Sequence, residues 1–407
     1  MSIKFINNNT EYRPLYTVNK GTVGVVLALS KNIYPELVCK LYKHKDNDNI
    51  MENITLYDVR NDKDYKILYE NNIIAQVLGI QNIHHPFSYK YYFNGKQQYG
   101  QFRDKIFYYE IGGICTLKEL LDICVFDEFK HYEQINKMID TILKKDEYMI
   151  EKTNIIHCDF YFNNVMIKNK YTLYLFDVFN KYNQTKDKKY IDILINYLFE
   201  NNNLDENLSD KALIKKYNIK TFTPTKKDID IVFIDFDYMK YIDKIMKLFD
   251  KYNKNNEDIQ NIIKLIGAIL INADKLKFLF LLINQLILIS YNLDINIINN
   301  INKIKNHTME VFEKTINDII NKSEILQKIN NISISTNLIW IICNYINNQP
   351  QNQQNFDKIV NYLYKKEYIN DNLQFLIFKN NDIIDKNRLY NYVIIPYTED
   401  EIKEIMA

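Results

Sequence analysis

The 407-residue sequence predicts an α+β chain in two parts, a small β-rich part before about residue 112 and a larger helical part after it. Three observations carry this. Residues 14 to 43 are apolar and β-branched around two glycines, in "PLYTVNKGTVGVVLALS" and "ELVCKLYK". Two aromatic segments, "YKYYF" and "KIFYYEI", read as further strands, and after Gly112-Gly113 the chain turns mostly helical from Thr116 onward. The two parts read as lobes joined by a short hinge, 1–112 and 113–345, with a linker and helical extension over 346–407.

Between the first and second pairs of strands, Asp64 to Ile83 has a helical pattern, with Ile67, Ile73, Ile74, Val77, Leu78 and Ile80 on one face. "HHPF" closes it, because Pro86 disfavours helical geometry at His85. Residues 168–230, rich in Lys, Asn and Asp, read as an insertion containing one helix in "YIDILINYLF". Ile/Leu/Asn segments from about 255 to 345 predict packed helices, and "NNQPQNQQN" at 347–355 is a polar linker. The most apolar run, Phe278 to Tyr291, is short for a membrane span and carries Asn284 and Gln285 at its centre, which predicts a buried helix.

Lys plus Arg (52) balance Asp plus Glu (51), so charge gives no reason to expect nucleic acid or an acidic membrane as the main partner. Five scattered cysteines without a C-x-x-C pair fit a reducing compartment. The opening "MSIKFINNNTEYRP" has no long apolar core and no small-residue cleavage site, which reads against a signal peptide and for the cytoplasm. The abundance of Asn, Ile, Lys and Tyr is the imprint of an AT-rich genome and blurs the turn-marking value of Asn.

The chemistry concentrates in "NIIHCDFYFNNVMI", residues 154–167, where His157, Asp159 and Asn164 stand between the β-prone triplets Asn154-Ile155-Ile156 and Val165-Met166-Ile167. Their spacing resembles the protein-kinase catalytic loop H-R-D-x-x-x-x-N, apart from the residue between His and Asp. Phosphoryl transfer asks a protein for backbone donors to the phosphates, a lysine, carboxylates for Mg²⁺ and a group beside the attacking hydroxyl. "NKGTVGVV", with Gly21 and Gly24, is similar to the kinase glycine-rich strand-turn-strand, with Asn19 in place of the first glycine. "LVCK" ends in Lys40 on the next strand, in the manner of V-A-I-K. The plain alternatives are an ordinary hairpin turn and a solvated strand lysine.

Over roughly residues 15 to 290 this order of parts resembles the protein-kinase-like superfamily, and most resembles the serine/threonine kinases of poxviruses and other large DNA viruses. The resemblance implies ATP and Mg²⁺ as cofactors and a protein substrate. It implies Asp159 as the group receiving or orienting the hydroxyl proton, His157 as a strut, Asn164 as a Mg²⁺ ligand, and Glu110 and Gly112 in "YYEIGGICTLKELL" as backbone partners of adenine. Glu70 is the implied carboxylate partner of Lys40, with Glu52 as its rival. The second metal carboxylate is Asp235, in Asp235-Phe236-Asp237 after the apolar Ile231–Ile234, with Asp177 after the strand-like "TLYLF" as the competitor. Asp274 is the candidate for the helix-borne aspartate that braces the catalytic loop.

The sequence departs from that family at several points. Tyr161 stands two residues after Asp159, where serine/threonine kinases commonly have lysine, and no A-P-E motif follows Asp235. Both departures favour an alternative, a small-molecule kinase of the aminoglycoside or choline kinase type, while "HHPF" and the hinge favour a protein kinase. A pseudokinase that only binds partners is a third reading; retention of Lys40, Asp159, Asn164 and Asp235 speaks against it.

Overall fold

A computed structural model describes residues 4–20, 24–32, 34–43, 63–83, 85–93, 95–169, 171–200, 229–236, 239–252, 255–291, 293–329, 335–336, 338–339, 342–343 and 353–365. The chain divides into two compact units, Met1–Gln134 with Asn163–Asp237, and Ile135–Phe162 with Tyr238–Ala407.

The first unit is built on an antiparallel sheet of β1 (Phe5–Asn7), β2 (Thr10–Lys20), β3 (Gly24–Ser30), β4 (Leu37–Lys43), β5 (Val77–Asn82), β6 (Phe87–Phe93) and β7 (Lys96–Tyr109). The order is β1-β2-β3-β4-β7-β5, and β6 also pairs with β7. Alternation decides its faces. Val25, Leu27 and Leu29 on β3 and Leu37, Cys39 and Leu41 on β4 enter one core with Phe5, Phe102, Ile106 and Tyr108. The residues between them, including Val26, Val38 and Lys40, therefore occupy the opposite face. Gly24 faces the β4 backbone so closely that a Cβ would lie 2.6 Å from the Leu41 carbonyl oxygen. Gly21 lies outside the described residues.

The helix expected over 64–83 stops early. It spans α1 (Lys63–Glu70), after which Asn72 adopts φ 53°. The Ile73 N–H then donates to Leu68 O at 2.9 Å and the Asn72 N–H to Tyr69 O at 3.0 Å, the pair of bonds that closes a helix through a left-handed residue. Ile73, Ile74 and Val77 are buried, but β5 forms a strand against β7, from Val77↔Tyr109 to Asn82↔Lys105. Their spacing fits both periods, and pairing with β7 decides it.

A smaller sheet, β11-β10-β8, joins β8 (Cys115–Thr116), β10 (Val165–Lys168) and β11 (Asp230–Phe233). Thr116 then opens α2 (Leu117–Cys124) with a capping box: the Glu119 N–H donates to Thr116 Oγ1, and the Thr116 N–H donates to Glu119 Oε2 at 2.7 Å. Gly113 is forced by its surroundings, since a Cβ there would lie 2.7 Å from both Ile167 O and Met166 Cβ. Gly113→Ala is expected to cost about 1–3 kcal/mol through overpacking. Gly267→Ala, a helical position whose Cβ would meet nothing closer than 3.7 Å, is expected to gain up to about 1 kcal/mol. Opposite shifts in melting temperature check the pair; equal shifts would contradict the packing.

The strand expected at "TLYLF" is instead the start of a helix, α4 (Thr172–Thr185). α3 (Tyr132–Thr153) precedes it in the chain. The turn before α4 is held by Asn169, whose N–H donates to Thr172 Oγ1 and whose side-chain oxygen accepts from the Tyr171 N–H. Lys186, at φ 56°, ends it. Tyr and Phe favour strands, but that preference is weak beside local context, and here the turn starts a helix. α5 (Lys188–Ile195) and a π-helical turn, Asn196–Glu200, follow.

The second unit takes in α3 from Ile135 on, a two-stranded pair of β9 (Ile155–Ile156) with β12 (Lys240–Tyr241), α6 (Ile242–Met246), α7 (Glu257–Ser290), α8 (Ile295–Asn321), α9 (Glu324–Ile329) and α10 (Gln353–Tyr364). α7 begins at Asn256, whose side chain accepts from the Ile259 N–H. Its residues Leu265, Ile266, Ile269, Leu270 and Leu276 are fully buried in the core, with Leu326, Leu338, Ile342 and Ile359 around them. Phe278 to Tyr291 forms the C-terminal half of α7 and its cap, with Phe278, Leu279, Leu282 and Leu286 fully buried, as expected of a core helix. Among the described residues no helix is long and apolar enough to cross a membrane.

Candidate active site

In the first unit, the sheet face opposite its core carries Lys40, held between Val26 on β3 and Phe107 on β7. Its Nζ lies 2.8 Å from Asp235 Oδ1, a contact between residues 195 apart in sequence. The amine also sits 4.7 Å from the centre of the Tyr42 ring. Asp235 is placed by β11: beyond the last ladder pair, Val165↔Phe233, the Ile234 N–H donates to Asn164 O at 3.0 Å. Asn164 and Asp235 therefore leave the same end of β10 and β11. Asp235 takes φ 63°, a left-handed conformation that costs a non-glycine residue about 1–2 kcal/mol and is concentrated at functional positions.

The pair is one ammonium and one carboxylate, and the buried Asn164 joins this end through its backbone carbonyl. Asn164 and Asp235 offer hard oxygen donors, the chemistry that suits Mg²⁺, which uses one or two carboxylates and completes its shell with water and phosphate oxygens. Among the described residues no group of three or more His, Cys, Asp or Glu could hold a metal by itself. Asp237 lies outside the described residues.

The other expected residues of this unit make other contacts. Glu70 ends α1 exposed and pairs with Lys66 at 3.7 Å, so it is not the partner of Lys40; Asp235 takes that position, and Glu52 lies outside the described residues. Glu110 donates its N–H to Gln76 O at 2.9 Å and pairs through its side chain with Lys168 at 3.8 Å. Gly112 packs on Ala75, Val232 and Ile234, where a Cβ would lie 3.0 Å from Ala75 Cβ. Asp177, the rival metal carboxylate, sits in the middle of α4 and pairs with Lys181 at 3.0 Å. Nearby, Phe176 and Leu173 of α4 pack with Ala28, Ile111, Val38 and Tyr16, extending the Lys40 face with an apolar patch.

In the second unit the loop from His157 to Phe162 is clamped by one face of α7. Asp274, fully buried, accepts the N–H groups of both His157 and Cys158, the latter at 2.9 Å. Three residues on, Lys277 donates to Cys158 O at 3.1 Å and to Asp159 Oδ1 at 3.4 Å. One further residue on, Phe278 packs against Phe160, ring centres 5.4 Å apart. Positions i, i+3 and i+4 share a helix face, so a single element fixes four consecutive loop residues. Cys158 pays for the sharp path with φ 62°. Asp274 thus has the bracing contacts that its resemblance implied. Lys277 went unnoticed in the sequence, although its spacing from Asp274 marks it as a neighbour on the same face.

A second acid lies near Asp274. Asp146 on α3 is buried, and among the described residues neither of its carboxylate oxygens has a hydrogen-bond partner. Burial, then the charge of Asp274, push its carboxyl well above the usual range, and burial raises Asp274 as well. The folded chain thus keeps a proton that the unfolded chain releases above about pH 4, so stability falls as pH rises from there towards the raised folded value. Asp146→Asn is expected to remove that share of the slope, gaining melting temperature on wild type by more at pH 8 than at pH 5. An equal gap at both pH values would contradict it.

Compared with known proteins, the chain matches no family model and no curated protein matches it.

Proposed function

We propose that the chain is a phosphotransferase of protein-kinase-like fold, moving the γ-phosphoryl of Mg-ATP to a hydroxyl, with Ser or Thr of a protein as the acceptor. The observation that carries the reading is the 2.8 Å contact of Lys40 with Asp235, beside Asn164. These three positions come from separate motifs, and local sequence alone gives no reason for them to meet. The antiparallel sheet with a lysine on the face opposite its core and the aspartate-braced loop on a buried helix both support the two-lobed fold.

On this reading Lys40 binds phosphate oxygens, and Asn164 and Asp235 hold Mg²⁺, which when bound neutralises charge on the phosphates. Glu110 and Gly112 supply the adenine with backbone partners. Asp159 orients the acceptor hydroxyl and takes its proton as the new O–P bond forms; the bond from the γ-phosphorus to the bridging oxygen breaks, and ADP leaves. On this reading the enzyme works in the host cytoplasm or in the virion, as the resemblance to kinases of large DNA viruses implies. Tyr161 and the missing A-P-E favour a second acceptor class, a hydroxylated small molecule.

The two acceptor classes separate in one assay. Wild-type chain is incubated with γ-labelled Mg-ATP and either a mixed protein substrate or a panel of aminoglycosides and amino alcohols. Label in protein supports the first class. ATP consumption that appears only with a small acceptor replaces it with the second, and no turnover with either, from chain shown to be folded, overturns the enzyme reading.

A further inference from the structure

Lys277 is a partly buried cation, 17% exposed, whose two bonds both go to the loop that carries Asp159. An ammonium has three N–H donors and no acceptor, so one group can tie the Cys158 carbonyl to the Asp159 carboxylate and restrict rotation of that side chain. Its own position is fixed from below, since Asp274 and Phe278 on the same helix face are buried against the same loop. The residue two places beyond Asp159 is Tyr161, whose ring packs edge-on against Phe162, and a phenol supplies no cation there.

We infer that Lys277 is the positioning residue of Asp159, and that this chain supplies from α7 the cation that serine/threonine kinases carry inside the loop itself. The inference rests on the proposed phosphotransfer, and it assigns that reaction a residue 118 positions downstream of the aspartate it serves. With the carboxylate held, an acceptor hydroxyl meets it in one orientation; removing the ammonium loosens that hold. Losses on the order of 10²-fold follow from displacements of about 1 Å in such groups.

The test uses the full chain with Mg-ATP and whichever acceptor the wild type uses. Lys277→Met is expected to lower kcat about 10²-fold with KM for ATP within about twofold of wild type, because its side chain bonds to the loop that carries Asp159 and the change acts on the chemical step. Lys277→Gln, which keeps a donor for the Cys158 carbonyl but no charge, guards against a folding defect and is expected to show the same loss at wild-type melting temperature. Adding Tyr161→Lys to Lys277→Met is expected to restore at least a tenfold part of the lost kcat. Full activity in both single variants, or a fall that only tracks melting temperature and that Tyr161→Lys does not rescue, would overturn the inference while leaving the phosphotransferase reading intact. A wild type without turnover would overturn both.

Discussion

Asp159→Asn is expected to reduce γ-phosphoryl transfer by about 10²- to 10⁴-fold, the range that a positioned general base contributes. The exchange is isosteric, so the loop keeps its shape, while the amide cannot take the proton of the acceptor hydroxyl. Stability should hardly change. The pair that Asp159 makes with Lys277 is a 3.4 Å contact with the aspartate side chain 32% exposed, and pairs of that kind are worth about 0–1 kcal/mol. Steady-state rates with saturating Mg-ATP, read beside a melting curve, check both halves. A variant that transfers phosphate at the wild-type rate would remove Asp159 from the chemistry.

Asp274→Leu is expected to be among the most destabilising single changes in the second unit. Asp274 is fully buried and is the acceptor for two buried backbone N–H groups, of His157 and Cys158. Leucine fills the space but accepts nothing, and each orphaned N–H costs about 1–3 kcal/mol. A summed loss of about 2–6 kcal/mol corresponds to a fall in melting temperature of roughly 5–20 °C for a unit of this size. Asp274→Asn retains one acceptor oxygen and should lose about half as much. Thermal unfolding of the three chains checks the order wild type, Asn, Leu; a leucine variant melting with wild type would show that the loop is held from elsewhere.

Much of the candidate site was legible because its residues sit within or just beside short strands, where type and order are local properties. Lys40 follows from the alternation of "LVCK" behind a glycine hairpin, and Asp235 from the apolar strand before it; the structure brings the two together. The apolar run before Asp177 looked equivalent, and only the Asn169–Thr172 turn, which starts a helix, separates the two cases. The helix expected to Ile83 failed at Asn71-Asn72, where composition had made asparagine look uninformative and the backbone used Asn72 as a left-handed stop. Pairing between distant segments was out of reach. Glu70 has the right local setting for a lysine partner, yet its carboxylate goes to Lys66 one turn back. Lys277 and Asp146 acquire meaning only through what α7 and α3 bring near Asp159 and Asp274, which no local pattern in the sequence displays.

Lys40, Asn164 and Asp235 are proposed as the nucleotide-metal end of a phosphotransferase. Transfer of label from γ-labelled Mg-ATP, compared among wild type, Asp235→Asn and Asp177→Asn, tests it most directly. Transfer is expected from wild type, with a loss of at least about 10²-fold in Asp235→Asn as one metal carboxylate goes and retention in Asp177→Asn, whose acid lies on α4 and pairs with Lys181. Transfer that survives in Asp235→Asn and vanishes in Asp177→Asn would contradict it.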